Sequence, residues 1–277
     1  MAADTAESLV AQADGGRLNP AFDPGLLLRI EDAGLNASAP PQQRWMDGWL
    51  LRLSPGKAKR ARCINAVADG RLPLADKLAW AQAAYAAAEL PLLVRITPFT
   101  QPPTLDAELA ERGLVRIDDT RVMVCPDYQA PEAVSLPFRC RVEAAGHQAF
   151  AQQVGELRGS PLAQRQAHAE RLALSPVPFQ ALLIVRDSKL LACGQMAIEN
   201  DLVGLYDVFT APQARGRGFA QALCRLLLAE ARLRGARHAY LQVDADNVPA
   251  RAAYHPLGFV DAYAYHYRGT EAPLEDR

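Results

Sequence analysis

The order of predicted elements repeats in the two halves of this chain. In each half a strand (CINAV, then LYDVF) leads through a loop into a long helix, a buried strand, a short helix and a closing strand. Val67 and Val208 lie 141 positions apart, and Gly113 and Gly258 lie 145 apart. This near-constant offset predicts two copies of one α/β fold. Chance alignment of two unrelated α/β halves stays open, because the similarity is in element order more than in residues.

The chain length also favours two domains. Its 277 residues, half of them hydrophobic, are many for one compact unit. A proline-rich stretch without apolar periodicity, residues 126–139, separates the halves. We therefore predict a first domain over residues 1–130, a linker over 131–138 and a second domain over 139–277, each domain a mixed central sheet flanked by helices.

Local patterns predict the individual elements. WMDGWLLRLS and RARCINAVA are rich in strand-forming residues and predict a hairpin whose turn is PGKAKRA. EAAGHQAFAQQVGEL and LAQRQAHAERLAL predict helices, and FQALLIVRD and KLLACGQMAIE predict strands joined around Asp187 and Ser188. For residues 1–40 only local structure is expected.

Charge and cysteine usage limit the class of protein. Lys plus Arg number 30 against 31 for Asp plus Glu, so no overall field attracts nucleic acid or an anionic membrane. Five scattered cysteines without a C-x-x-C pair argue against disulfides and structural zinc. The N-terminus lacks a signal-peptide pattern, and no apolar run reaches membrane-spanning length. We expect a cytoplasmic protein without nucleic-acid or membrane partners; a homodimer stays open.

The stretch TAPQARGRGFAQALC, residues 210–224, places two glycines and two arginines between a predicted strand and a predicted helix. Gly216 and Gly218 have no Cβ to keep a ligand from the first N–H groups of that helix, which sit at the positive end of its dipole. Arg215 and Arg217 can pair with phosphate oxygens. The stretch therefore predicts a site for a phosphate or pyrophosphate.

Two common nucleotide motifs do not fit this loop. A Walker loop needs a lysine that is missing here, and Gln221 stands where a dinucleotide fingerprint needs its third glycine. The pattern Q-x-x-G-x-G, beginning at Gln213, instead resembles the acyl-CoA pyrophosphate loop of the GNAT superfamily of N-acyltransferases. YLQVDADN resembles the next strand of that family, and ARAAYHPLGF resembles its helix with a tyrosine before L-G-F. The resemblance covers roughly residues 139–268.

The resemblance implies acetyl-CoA as acyl donor and a set of contact residues. It assigns the general acid that protonates the departing thiolate to Tyr254, for which core packing is the alternative. It implies a cofactor contact for Asn247, which is equally a good helix N-cap. The implied cofactor-binding residues are Val208, Phe209, Thr210, Gln213, Arg215, Gly216, Arg217, Gly218, Phe219, Ala220 and Asn247.

Several roles are not decided by the sequence. Candidate general bases are Asp207, Glu199, Asp244 and Glu156. The histidines show no ligand spacing, so no metal is expected. The first half has ADGRLPLADK where the second has its glycine loop, and therefore resembles a degenerate copy that shapes the acceptor side. The expected function is acetyl transfer from acetyl-CoA to an unidentified primary amine by direct attack; the alternative is a non-catalytic acyl-CoA sensor or docking module.

Overall fold

The computed structural model describes residues 17–129, 134–136 and 139–270. The N-terminal residues on which the signal-peptide expectation depends, and most of the predicted linker, lie outside these residues. The described helices and strands together build one mixed sheet covered by helices. The described α-helices are α1 (Pro24–Ala37), α2 (Leu74–Ala87), α3 (Leu105–Glu111), α4 (His147–Leu157), α5 (Leu162–Ala173), α6 (Phe219–Leu233) and α7 (Val248–Tyr254).

The sheet has eleven strands in the described residues, in the order β1-β2-β3-β4-β11-β5-β10-β9-β8-β7-β6. The strands are β1 (Gln43–Met46), β2 (Trp49–Arg52), β3 (Ile64–Ala66), β4 (Leu93–Ile96), β5 (Val115–Cys125), β6 (Arg141–Ala145), β7 (Phe179–Arg186), β8 (Lys189–Glu199), β9 (Leu202–Thr210), β10 (His238–Asp244) and β11 (Val260–Gly269).

The two halves exchange their last strands. The closing strand of the second half, β11, lies between β4 and β5 of the first half. The closing strand of the first half, β5, lies between β11 and β10. Each half therefore completes the sheet of the other, and the antiparallel β5–β11 pair joins them into one continuous sheet.

Helices cover the sheet according to the alternation of strand side chains. On one face α1, α4 and α5 pack on a core that includes Leu27, Phe150 and Tyr206. On the other face α6 and α7 pack on a core that includes Leu223 and Phe259. A third core joins α2 and α3 to strands β2, β3 and β4. The long first helix thus lies against strands of both halves.

The predicted hairpin is present as the antiparallel pair of β2 and β3, which PGKAKRA connects, and a second hairpin precedes it. β1 and β2 form a hairpin around Asp47 and Gly48, whose φ angles of 43° and 80° suit the two-residue turn that D-G favours. WMDGWLLRLS therefore contains parts of two strands, and β2 also pairs with β3. Two elements differ from the prediction. The region before residue 40, where only local structure is expected, contains the helix α1. Residues 143–145, predicted as the start of a helix, belong to strand β6, and the helix α4 begins at His147.

Candidate functional site

Strands β9 and β10 separate after a short paired stretch. They pair in parallel only from Leu202 to Leu205 and from His238 to Leu241. On its other side β9 stays paired with β8 as far as Thr210, and β10 stays paired with β5 as far as Asp244. The strands are thus held from outside while a gap opens between them, and this gap is called the split below.

A bulge in β9 lies beside the split. Tyr206 pairs with Gln195 and Phe209 with Cys193, so β9 has one residue more than β8 between these pairs. Asp207, within the bulge, has a φ of 51°. Opposite it, a Cβ on Gly194 would come within 3.2 Å of the Val208 side chain. The bulge thus turns Asp207 and Val208 away from regular strand geometry at the split.

Tyr254 lies in the wall of a cavity in the split, of about 240 Å³. The cavity is bordered by β9, β10 and α7, and is called the split cavity below. Burial raises the pKa of Tyr254, so its hydroxyl keeps its proton at neutral pH. None of the residues that the structure describes hydrogen-bonds this hydroxyl, which leaves it available to a ligand. His255 and Pro256, which follow it, form a short 3₁₀ turn and do not remove the tyrosine from the split.

The glycine loop continues directly from the end of β9. Gly216 and Gly218 have φ angles of 71° and 77°, which glycine adopts at little cost. A Cβ built on either would meet no atom within 4 Å. Gly218 is the N-cap of α6, and no side chain caps that end. The first N–H groups of α6 therefore keep their hydrogen-bonding capacity for a ligand.

Two arginines approach Phe209 at this end of β9. The guanidinium of Arg215 lies 5.7 Å from the ring, and that of Arg158 lies 5.3 Å from it. Arg215 also donates from Nε to the carbonyl of Thr210 at 3.4 Å. Arg217 and Gln213 are exposed in the same loop. Five of the six cofactor-contact residues predicted from Phe209 to Arg217 thus carry polar or aromatic side chains, and the sixth is Gly216.

The remaining predicted residues divide between surface and core. Asn247 caps α7, because its side chain accepts from the Ala250 N–H at 3.2 Å, and it also borders the split cavity. Both roles considered from the sequence are therefore open to it. Val208 borders the same cavity, whereas Phe219 is buried under α6 and offers only its backbone to a ligand at the loop. Ala220 lies in the first turn of α6.

Asp207 is the centre of a polar network that the sequence did not predict. Arg158 donates to its Oδ1 at 2.8 Å, Gln195 donates to its Oδ2 at 2.7 Å, and His168 Nε2 lies 3.2 Å from Oδ2. Burial alone would raise the pKa of this carboxyl, but the charge of Arg158 and the contact with His168 hold it well below its usual range. Asp207 is therefore ionised at neutral pH.

A second cavity, of about 260 Å³, meets the split cavity at Arg158 and Asp207. It lies between α4, α5 and the loop over residues 56–58, and is called the helix cavity below. A Cβ on Gly56 of that loop would lie 3.7 Å from the side chain of Ala167 in α5. The first half thus supplies part of the wall. No local sequence signal connects this loop with α5, because the contact spans the two halves.

The other candidate bases differ in position. Asp244 is exposed and borders the split cavity. Glu199 accepts from Asn36 at the opposite end of the β8–β9 pair. Glu156 is bound to Arg165 at 3.2 Å and borders neither cavity. Of the four candidates, the structure therefore brings only Asp207 and Asp244 to the split.

Cys193 and Cys224 are buried in the second half of the chain. Burial raises the pKa of Cys193 and of Cys224 to about 12, so both remain protonated thiols at neutral pH. Within residues 17–129, 134–136 and 139–270, no three His, Cys, Asp or Glu side chains form a group that could hold a metal ion.

Comparison with known proteins agrees with this arrangement. Residues 149–259 match the Acetyltransferase (GNAT) family. The chain is 25% identical over 229 residues to the uncharacterized N-acetyltransferase YobR of Bacillus subtilis (strain 168), covering 82% of this chain and 91% of that protein. A GCN5-related N-acetyltransferase from Kribbella flavida superposes with a TM-score of 0.65 at 19% identity, covering 90% and 97% of the two chains.

A tandem GNAT protein from the clavulanic acid biosynthesis pathway superposes with a TM-score of 0.57 at 17% identity, covering 71% of this chain and 70% of that one. The described sheet and helices form a mixed α/β fold that these solved structures share. The comparisons support a GNAT superfamily N-acetyltransferase, and the family match itself covers residues 149–259. In the described part of the chain, no helix combines the length and the apolar character needed to cross a membrane.

Proposed function

We propose that this protein transfers an acetyl group from acetyl-CoA to a primary amine, with the cofactor bound by the second half. The observation that carries the proposal is the split between β9 and β10, which leads from the glycine loop to the hydroxyl of Tyr254. In this proposal residues 139–277 form the acyl-CoA-dependent domain. Residues 1–130 form a degenerate copy that contributes to the acceptor side.

The pyrophosphate of CoA binds at the glycine loop. The N–H groups from Arg215 to Ala220 supply donors, and an N-terminal helix dipole favours the anion. Arg215 and Arg217 add charge-assisted hydrogen bonds. The open space in front of Gly216 and Gly218 lets the phosphates approach the backbone closely.

The pantetheine arm follows the free side of β9. Between Tyr206 and Thr210 that side of the strand pairs with no other described strand. Backbone groups of Val208, Phe209 and Thr210 can therefore bond the amides of the arm, as an added strand would. This course brings the thioester toward the split cavity and Tyr254.

Acyl transfer then proceeds by direct attack. The neutral amine attacks the thioester carbonyl carbon and forms a tetrahedral intermediate. Its collapse breaks the C–S bond, and the Tyr254 hydroxyl donates its proton to the departing sulfur. The ammonium proton that attack creates is lost to a base or water, and the tyrosinate regains a proton. No covalent enzyme intermediate is required.

Two groups other than Asp207 can take the proton of the attacking amine. Asp207 is a weak base, because its network holds its pKa well below the usual range. Asp244 borders the split cavity, and His168 borders the helix cavity beside Asp207. Comparing Asp244→Asn with His168→Gln identifies the base: the variant that lacks it loses about 10²-fold or more in kcat/KM. Equal activity of both variants and wild type would assign the proton to water.

Calorimetric titration with acetyl-CoA tests the proposal first. We expect one site per chain, followed by thiol release when amines are screened with acetyl-CoA. Two sites would show that the first half also binds cofactor. An absence of binding would remove the acyl-CoA interpretation of the glycine loop.

A further inference from the structure

The helix cavity has an excess of positive charge. Arg158, Arg165 and Arg171 border it together with His168, whereas Asp207 is the only carboxylate in its described wall. Asp207 already accepts hydrogen bonds from Arg158 and Gln195, and His168 contacts its second oxygen. Its single negative charge therefore does not balance the cations around it.

The partners of the arginines distinguish Arg171 from the others. Arg158 is paired with Asp207, and Arg165 with Glu156. Arg171 donates to the carbonyl of Ala37 at 3.1 Å and lies 5.9 Å from the ring of Phe179. Among the described residues, no carboxylate lies within ion-pair distance of its guanidinium.

The surroundings of Arg171 are unfavourable for an unpaired charge. Burial lowers the pKa of Arg171, Asp207 offsets part of this effect, and the charge of Arg60 adds to it. A guanidinium in this position gains most from a planar anion that accepts two of its N–H groups. A carboxylate on a small ligand has this geometry.

The position of the two charges also suggests an orientation for that ligand. Asp207 lies where the helix cavity meets the split cavity, and Arg171 lies on α5 in the wall of the helix cavity. An amine near Asp207 is close to the place where the proposed thioester arrives. A carboxylate on the same molecule can then reach the guanidinium of Arg171.

We propose that the acceptor is a small molecule that carries a carboxylate as well as its amine, and that Arg171 binds this carboxylate. The proposal rests on the proposed acetyl transfer for the role of the amine, while the carboxylate contact is independent of it. The volume of about 260 Å³ fits a small molecule, since it lies just below the usual range of ligand pockets, roughly 300–1,000 Å³.

Matched amines test the substrate class. A panel of α- and ω-amino acids is compared with the corresponding carboxamides and with simple alkylamines, using thiol release from acetyl-CoA. We expect at least one amino acid to exceed its carboxamide by about 10- to 100-fold in kcat/KM, the range of a charge-assisted hydrogen bond. In Arg171→Gln this preference falls to about one, because the rate with the amino acid falls toward the rate with its carboxamide. Preference for carboxamides or alkylamines in the wild type would overturn the proposal.

Two further variants act as controls. Arg225→Gln removes an exposed arginine of α6, on the other face of the sheet, and should leave the preference unchanged. Arg171→Lys keeps the charge but loses the two-pronged geometry, so part of the preference should remain. It also provides a reading if Arg171→Gln folds poorly. A preference that survives in Arg171→Gln would contradict the assignment to Arg171.

Binding without acetyl-CoA separates this inference from the proposed function. The same amino acids and carboxamides are titrated against the thermal stability of wild type and Arg171→Gln. Stabilisation by the amino acids that is lost in Arg171→Gln supports the carboxylate site even if acetyl-CoA does not bind. Equal responses of the two proteins would overturn the carboxylate site even if acetyl transfer is observed.

Discussion

The two halves of the sheet contain the same kind of split but fill it differently. In the second half, the split between β9 and β10 holds a cavity of about 240 Å³. In the first half, β3 and β4 also separate after Asn65 and Arg95, but the cavity there is about 80 Å³. Helix α1 places Glu31 in this space, where it pairs with Arg95 and accepts from the Tyr263 hydroxyl at 2.8 Å.

The loops before the two long helices differ in the same way. In the first half, the carboxylate of Asp47 accepts from the N–H of Arg71 at 2.9 Å and of Leu72 at 3.0 Å. A Cβ on Gly70 would come within 2.1 Å of that carboxylate. No such side chain caps α6 in the second half. The comparison shows that a split and a helix N-terminus can bind a ligand only where the protein's own side chains leave them free. In the first half, Glu31 fills the split and Asp47 accepts from the N–H groups before the helix.

The largest expected effect is that of Tyr254→Phe. Removing the hydroxyl leaves the ring packing intact and deletes the proposed proton donor. We expect kcat to fall by about 10²- to 10⁴-fold, with little change in acetyl-CoA affinity. Steady-state kinetics and calorimetry measure the two effects.

Tyr128→Phe is the matched control for Tyr254→Phe. Tyr128 is also buried, but its hydroxyl donates to the carbonyl of Leu228 and does not border the split. We expect it to lose stability and keep kcat. If Tyr254→Phe also keeps kcat, its hydroxyl is not the proton donor. The non-catalytic acyl-CoA sensor then becomes the better interpretation.

The next effect concerns the split between β3 and β4, which Glu31 and Arg95 close. Glu31→Leu leaves the buried guanidinium of Arg95 without its partner, which should lower the free energy of unfolding by about 3–5 kcal/mol. Chemical denaturation measures the loss. The double variant Glu31→Leu with Arg95→Met replaces both charges and should recover much of it. If the single variant has the same free energy of unfolding as the wild type, the ion pair does not stabilise the closure of this split.

The glycine loop has local sequence signals, whereas the closure of the first split has none, for a physical reason. The glycine loop and the Asn247 cap are local, so residues within a few positions define them. The closure of the first split depends on Glu31 meeting Arg95 and Tyr263, which are far apart along the chain. Nothing in the run PGLLLRIED shows which strands α1 will cover.

The same limit applies to the shared sheet and the acceptor side. Element order predicted two related halves, but the exchange of β5 and β11 requires pairing partners that periodicity does not identify. His168 and Arg158 reach Asp207 only because α4 and α5 fold over the bulge. The D-G turn at Asp47 is a further local signal, because it marks the β1–β2 hairpin in addition to the predicted hairpin through PGKAKRA.

A smaller effect is expected on acetyl-CoA binding when a glycine of the loop is replaced, in comparison with a glycine elsewhere in the chain. Gly218→Ala adds a Cβ in the space proposed for the pyrophosphate, and should weaken acetyl-CoA binding by about tenfold or more. Gly235→Ala is the control, because Gly235 also has a positive φ, 94°, and open space around its Cβ position. Both variants should lose about 1–2 kcal/mol in unfolding free energy through backbone strain. Equal acetyl-CoA affinity in the two would contradict a cofactor role for the loop.

The smallest expected effect is the pH dependence that Asp47 contributes. The N–H groups of Arg71 and Leu72, with the charge of Lys77, lower the pKa of this carboxyl. A folded pKa below the unfolded value of about 3.9 stabilises the protein above that pH, and the contribution is lost as the pH falls through the folded pKa. Thermal unfolding of Asp47→Asn should therefore differ most from wild type at neutral pH and converge with it in acid.

Calorimetry on the same variant sharpens the comparison between the halves. Asp47→Asn removes the internal negative charge before α2, but Glu31 and Arg95 still occupy the split beside it. We therefore expect acetyl-CoA to bind at one site per chain, as in the wild type. A second site in Asp47→Asn would show that the loop carboxylate alone excludes the cofactor from the first half. Glu31 and Arg95 would then be no barrier to cofactor binding.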